Sequence, residues 1–225
     1  MYGIIQIMNK IVTLIIVFAI VSINIYANGE KEPVSVEFKG TIEFLSGEVL
    51  LNGAMAESGD KVLTNDIVET GKNSQCDIVF NRSNIIRMEE ETILEINWAK
   101  SNINLKKGSI SSIFENISAF LTQNNNFQIL TPSVTAGIRG TSFYIKVEDE
   151  LNTYICACNG SLELSSNNNE KFISKSNHHK AFRFTKSGDN VEIESALLLY
   201  HNDSSMNAVA KNIGFTIDWE SPLKY

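Results

Sequence analysis

Cys156 and Cys158 flank Ala157 in the run 152–158, whose β-branched and aromatic residues read as a strand. In a strand, residues i and i+2 face the same way, so both sulfurs point to one side. The three histidines of the chain, His178, His179 and His201, all follow. Two thiolates with one or two imidazoles are the ligand set of tetrahedral zinc, and also suit copper or a haem iron. Adjacent His178 and His179 face opposite sides if extended, so one of them is expected beside the thiols. His201 is the natural remaining ligand. A site of this kind would join the C-terminal segment to the rest of the fold. An open coordination position would make it catalytic, and a closed one structural. Other features weigh against a metal. Cys-x-Cys is not the Cys-x-x-Cys of a zinc knuckle, and its spacing to the histidines fits no standard finger. A cysteine on a strand is otherwise ordinary packing, as expected for Cys76 in its own alternating run. A direct bond between Cys156 and Cys158 is disfavoured, because same-side neighbours strain disulfide geometry.

Little else in the chain could do chemistry. There is no nucleophile elbow, phosphate-binding loop, His-Glu-x-x-His or dinucleotide fingerprint. The acidic clusters Glu89-Glu90-Glu91 and Glu148-Asp149-Glu150 read as solvated turns, with nothing to separate the pKa values of a catalytic pair. No catalytic residue is assigned, and an enzyme is not expected.

The elements that must position the cysteines and histidines are short β-rich runs. They fall at 41–45, 48–51, 75–80, 84–88, 92–97, 103–106, 127–130, 142–147, 152–158, 161–165, 170–174, 181–185 and 190–194. Asn52-Gly53 is a tight-turn signal after the second. Many close strands separated by Gly, Asn, Asp and Ser predict an all-β barrel, sandwich or solenoid. Two segments depart from this pattern. In 109–123 the residues Ile110, Ile113, Phe114, Ile117, Phe120 and Leu121 recur at helical spacing, which predicts an amphipathic helix capping the β-core. In 204–213, Ser204 or Ser205 can cap a short helix, Met206, Val209 and Ile213 form its apolar stripe, and Gly214 stops it.

Residues 11–26 form an uncharged apolar run with Lys10 before it, and small Ala27 followed by polar residues after it. This is the pattern of a secretory signal peptide, expected over residues 1–27; an uncleaved anchor is the alternative. Only in the uncleaved case would the chain touch a membrane. The 225 residues carry a net charge of -7, which argues against a nucleic-acid partner. Three cysteines cannot make a disulfide-dense scaffold.

The stretch 131–143, Thr-Pro-Ser-Val-Thr-Ala-Gly-Ile-Arg-Gly-Thr-Ser-Phe, resembles the core signature of the FecR domain of bacterial envelopes. Gly47-Glu48-Val49, Gly59-Asp60, Thr70-Gly71 with Ser74, and Leu105-Lys106-Lys107-Gly108 match further elements of that pattern. The resemblance covers roughly residues 40–165 and implies a twisted, β-solenoid or sandwich-like fold. Within the signature, Thr131 and Pro132 open the strand, and Gly137 and Gly140 allow corners. Arg139 is expected as a buried staple to carbonyls or a carboxylate, Thr141 follows, and Phe143 points inward. Sigma-regulating members place an anti-sigma segment before a membrane helix. At most ten residues precede the apolar run here, so a freestanding exported FecR domain is expected.

Three regions are therefore expected: residues 1–27 as the signal, 34–165 as the β domain, and 166–225 as an extension packed on it. The function expected is that of a non-catalytic binding or scaffolding module in the periplasm or cell envelope. Its partner would be an envelope protein or a small ligand. The alternative is a metal- or haem-binding sensor or carrier using the Cys-x-Cys and His cluster.

Overall fold

Asn52 and Gly53 both take up left-handed backbone, with φ of 53° and 78°. They join β2 (Val49–Leu51) to β3 (Ala54–Met55), the tight turn that this residue pair favours. The computed structural model describes residues 40–115, 127–166 and 171–221. The signal or anchor expected over 1–27 lies outside them, and no described helix is long and apolar enough to cross a membrane.

The described residues are mostly strand. After β1 (Gly40–Ser46), β2 and β3 come β4 (Lys61–Val62), β5 (Ile67–Thr70), β6 (Gln75–Phe80), β7 (Asn84–Met88) and β8 (Ile93–Asn97). Then follow β9 (Asn102–Phe114), β10 (Gln128–Leu130), β11 (Val134–Val147), β12 (Asn152–Ser166), β13 (Lys171–Ser176), β14 (Lys180–Ser187) and β15 (Asn190–Ala196). A 3-10 turn (Trp98–Lys100) links β8 to β9, and one α-helix, α1 (Asp203–Lys211), follows β15 among the described residues. The main path of the sheet runs β15-β14-β12-β11-β10-β9-β7-β6-β1-β4, with β2, β3, β5, β8 and β13 branching from it. Among the described residues the pairings are antiparallel, apart from the parallel pair β9–β10. The sheet does not close on itself, and the fold is all-β and sandwich-like.

Alternation along the long central strands sorts their side chains onto two faces. Phe143 and Ile145 of β11, and Ile155 and Ala157 of β12, enter the larger core with Ile86, Met88, Ile110 and Phe114. Aromatic rings run through it: Trp98 packs edge-on to Phe80, and Phe127 contacts both Trp98 and Phe114. On the opposite face Tyr144, Tyr154, Cys156 and Cys158 join Ile85 and Ile113 beneath Met206, Val209 and Ala210 of α1. The sheet is thus buried on both sides along its middle, as a sandwich layer covered by a helix must be.

That double burial corrects the expected helix at 109–123. Residues 109–114 are the end of β9, and residues 116–126 lie outside the described part of the chain. Ile110 and Phe114 face one core and Ile113 the other, so strand alternation mimics the i, i+3, i+4 spacing of a helix. Buried Ser111 and Ser112 complete the disguise. The C-terminal helix stands where 204–213 predicts it. Its N-cap is Asn202, whose side chain accepts from Ser205 N–H while Ser205 Oγ accepts from Asn202 N–H. The runs 152–158 and 161–165 are a single strand, β12.

Candidate metal centre

The signature segment builds the sheet on which the cysteines sit. Thr131 and Pro132 form the turn between β10 and β11, where Thr131 Oγ1 and N–H both donate to Val134 O. Gly140 has a φ of 71° and marks a register shift between Ile138 and Thr141, so it makes a β-bulge rather than a corner. Gly137 keeps ordinary strand geometry opposite Glu163. Thr141 Oγ1 donates to Asn159 O across the bulge at 2.8 Å. Arg139 is not buried: its side chain is 45% exposed and pairs with Glu163 on the outer surface. Strand alternation turns it outward while Ile138 enters the core.

Beyond the bulge, β12 carries Cys156 and Cys158 on its second face, with their sulfurs 3.8 Å apart. The turn between β13 and β14 brings His179 alongside, anchored by its own N–H donating to Cys158 O at 2.9 Å. His179 Nδ1 is 3.6 Å from Cys156 Sγ. His201 arrives from beyond β15, with Nε2 3.3 Å from Cys158 Sγ. One donor atom from each of Cys156, Cys158, His179 and His201 lies within 4.8 Å of the others. His178, the other expected ligand, points away from the thiols and meets Asp203 at 3.0 Å on the exposed side. Cys76 is remote, buried in the larger core, with its thiol pushed up to about 12 by burial and by Asp77.

Neighbours settle which nitrogen of each ring faces the sulfurs. His179 Nε2 lies 2.8 Å from the carboxylate of Asp203, an acceptor, so this nitrogen carries a proton and Nδ1 is the ring nitrogen turned to the thiols. His201 Nδ1 lies 2.8 Å from the carbonyl of Leu199, so Nε2 is the free nitrogen there. A carboxylate or a carbonyl on the outer nitrogen is how proteins orient metal-binding imidazoles. Tyr144 fixes the His201 ring by stacking on it at 4.5 Å and 7°. Trp219 stacks on His179 at 5.0 Å and contacts His178 at 5.1 Å.

The backbone is strained where it delivers both imidazoles. His179 has a φ of 46° and Tyr200 a φ of 67°. At Tyr200 the chain makes an i to i+2 turn, with His201 N–H donating to Leu199 O at 2.9 Å. Positive-φ turns of this size are rare, and strained residues concentrate at functional sites. The electrostatics are also asymmetric. The Cys156 thiol is pulled down by the hydrogen bond from Cys158, against burial, with help from His179 and His201. Cys158, fully buried, is pushed up by desolvation and by its neighbour's negative charge. His179 is raised: burial opposes its charge, but Cys156 and Asp203 outweigh it. Asp203 is lowered by hydrogen bonds from His178 and His179.

Two sulfurs and two nitrogens around one point suit a small ion that accepts a tetrahedral set, such as zinc or copper. Haem does not fit, because four donors converging this closely leave no plane for a macrocycle. Asp203, Tyr200 and Trp219 carry no spacing signal in the sequence. The one legible hint is an acid in the first turn of a helix two residues after a histidine.

The fold and this cluster define an all-β, sandwich-like protein with a thiol–imidazole site on one sheet face. Residues 66–163 match the family model described as FecR protein, so the matched region is the stretch that carries β5 to β11 and most of β12. No curated protein matches it. Two crystal structures of anti-sigma-factor candidates from Parabacteroides distasonis ATCC 8503 are similar to it, both at 11% identity over 66% of this chain. Their TM-scores are 0.46 and 0.45. The chain spans 65% and 64% of the length of those two neighbours.

Proposed function

We propose that this chain is an exported, non-catalytic FecR module of the bacterial envelope that holds one zinc ion through Cys156, Cys158, His179 and His201. The observation that carries the reading is the convergence of four donor atoms from three chain segments, with one ring nitrogen of each imidazole facing the thiols and the other held by an oxygen acceptor. Two thiolates and two imidazoles complete a tetrahedron, leaving no open position for substrate, so the site is structural. Export is supported by the apolar run before Ala27. In this reading residues 34–165 are the FecR body and 166–225 an extension fastened to it through the metal. The match of residues 66–163 to the FecR model supports a protein partner in the envelope for that body.

The test is elemental analysis of the full chain, purified reduced and without chelator. One equivalent of zinc is expected, lost in Cys156→Ser with Cys158→Ser and retained in Cys76→Ser. A chain that stays metal-free with added zinc, and whose thiols titrate freely, would leave the cysteines as packing residues.

A further inference from the structure

The four donors are unequally divided along the chain. Cys156 and Cys158 belong to β12 and His179 to the β13–β14 turn, which the sheet itself holds through the hydrogen bond from His179 N–H to Cys158 O. His201 comes from outside the sheet, through the strained turn at Tyr200, and leads directly into α1. The first residue of that helix, Asp203, reaches back to both His178 and His179.

The segment that follows covers the second face of the sheet. Met206, Val209, Ala210 and Ile217 are buried there with Ile85, Ile113 and Tyr144. Polar ties fasten its margins: Asn212 Nδ2 donates to Asp77, and Asn159 Nδ2 donates to the carbonyls of Asp218 and Ser221. A helix of 9 residues does not persist alone in water, so α1 exists only while it is docked.

We propose that zinc occupancy governs the docking of residues 201–221, so that the C-terminal segment is a metal-dependent latch over the face lined by Ile85, Ile113 and Tyr144. This rests on the metal reading above and names the regulation of that site. The docked form offers the ion four donors, and the undocked form only the three carried by the sheet. A ligand shifts a conformational equilibrium by its difference in affinity for the two states, and the fourth donor supplies that difference. The coupling is reciprocal: whatever undocks the tail weakens zinc binding. Release also relaxes Tyr200 from its left-handed backbone.

The test is hydrogen exchange on the full chain, with zinc and with chelator. Amides of 203–213 are expected to exchange about tenfold more slowly with zinc, while those of β6 and β7 change little. A Met206→Ser, Val209→Ser variant, which alters no donor, is expected to bind zinc about tenfold more weakly. One bound zinc with unchanged tail exchange, or equal slowing throughout the chain, overturns the latch and leaves the metal site standing. Unchanged zinc affinity in the double variant also overturns it. Failure to bind zinc at all removes the site and the latch together.

Discussion

Asp203 touches no sulfur, yet it holds the His179 ring with Nδ1 turned to the thiols. It acts through the imidazole, and outer partners of this kind typically contribute 10–100-fold to metal affinity. Asp203→Asn is therefore expected to weaken zinc binding by at least about tenfold. One equivalent should still bind at saturation, as measured by competition with a chromophoric chelator. His178→Ala, on the exposed side of the same carboxylate, should leave the stoichiometry unchanged. A second residue-scale case lies away from the cluster. Glu148, which the sequence groups with solvated turns, accepts two hydrogen bonds from Arg183 and one from Tyr200. Arg183 holds its carboxyl below the usual range, against a partial burial and with the Tyr200 hydroxyl helping. A depressed folded pKa gives stability that is present above the unfolded value, about 4.3, and is lost as pH falls through the folded one. Glu148→Gln should thus cost about 1 kcal/mol at neutral pH, since Arg183 is partly open to solvent. In urea unfolding of the chelated protein, the gap to the unmodified chain should narrow progressively below about pH 4.

At the scale of elements, two register shifts between β11 and β12 decide where the cysteines point: one at Gly140, and one between Ser142 and Phe143 that passes over Cys158 itself. Two residues of β11 are passed over between Ile138 and Thr141 in the register with β12. A one-residue change of register there would move Cys156 and Cys158 to the opposite face. Gly160 lies across from the bulge with a φ of 118°, and a Cβ on it would stand 2.9 Å from Gly140 O and from Thr141 Cβ. Gly160→Ala combines backbone strain with a clash that no flexible side chain can relieve. A loss of about 2–3 kcal/mol is expected in denaturant unfolding, together with weakened zinc binding. Should Gly160→Ala prove neutral, the bulge is not the rigid reference for the site. The cap of α1 tests the other side of the latch. Asn202→Ala removes the acceptor for Ser205 N–H and should destabilise the helix by about 1 kcal/mol, visible as faster exchange of its amides.

For the molecule as a whole, the proposed zinc would join a sheet that is already buried on one face to a segment that buries the other. An ion that binds only the folded chain stabilises it by mass action, about 2.7 kcal/mol at one hundred times its dissociation constant. Zinc should therefore raise the midpoint of thermal unfolding and excess chelator should reverse the rise. Cys76→Ser, which sits in the larger core, should lower the midpoint with and without zinc and leave the shift itself intact. A zinc shift that survives loss of Cys156 and Cys158 would place the ion elsewhere.

The strand pattern, the short C-terminal helix and the FecR signature were legible in the chain, because alternation, turn residues and capping are local properties. The same-side placement of Cys156 and Cys158 also follows from strand geometry alone. Other features depended on the tertiary structure. Residues 109–114 read as a helix because burial on both faces of a sheet erases the alternation that marks a strand. Arg139 read as a buried staple because its side depends on the bulge at Gly140, which no local rule locates. The choice of His179 over His178 turned on a left-handed residue in the β13–β14 turn, and the approach of His201 on a second one at Tyr200. The chain supplied the donors, and the register of β12 against β11 and β14 decided which of them meet.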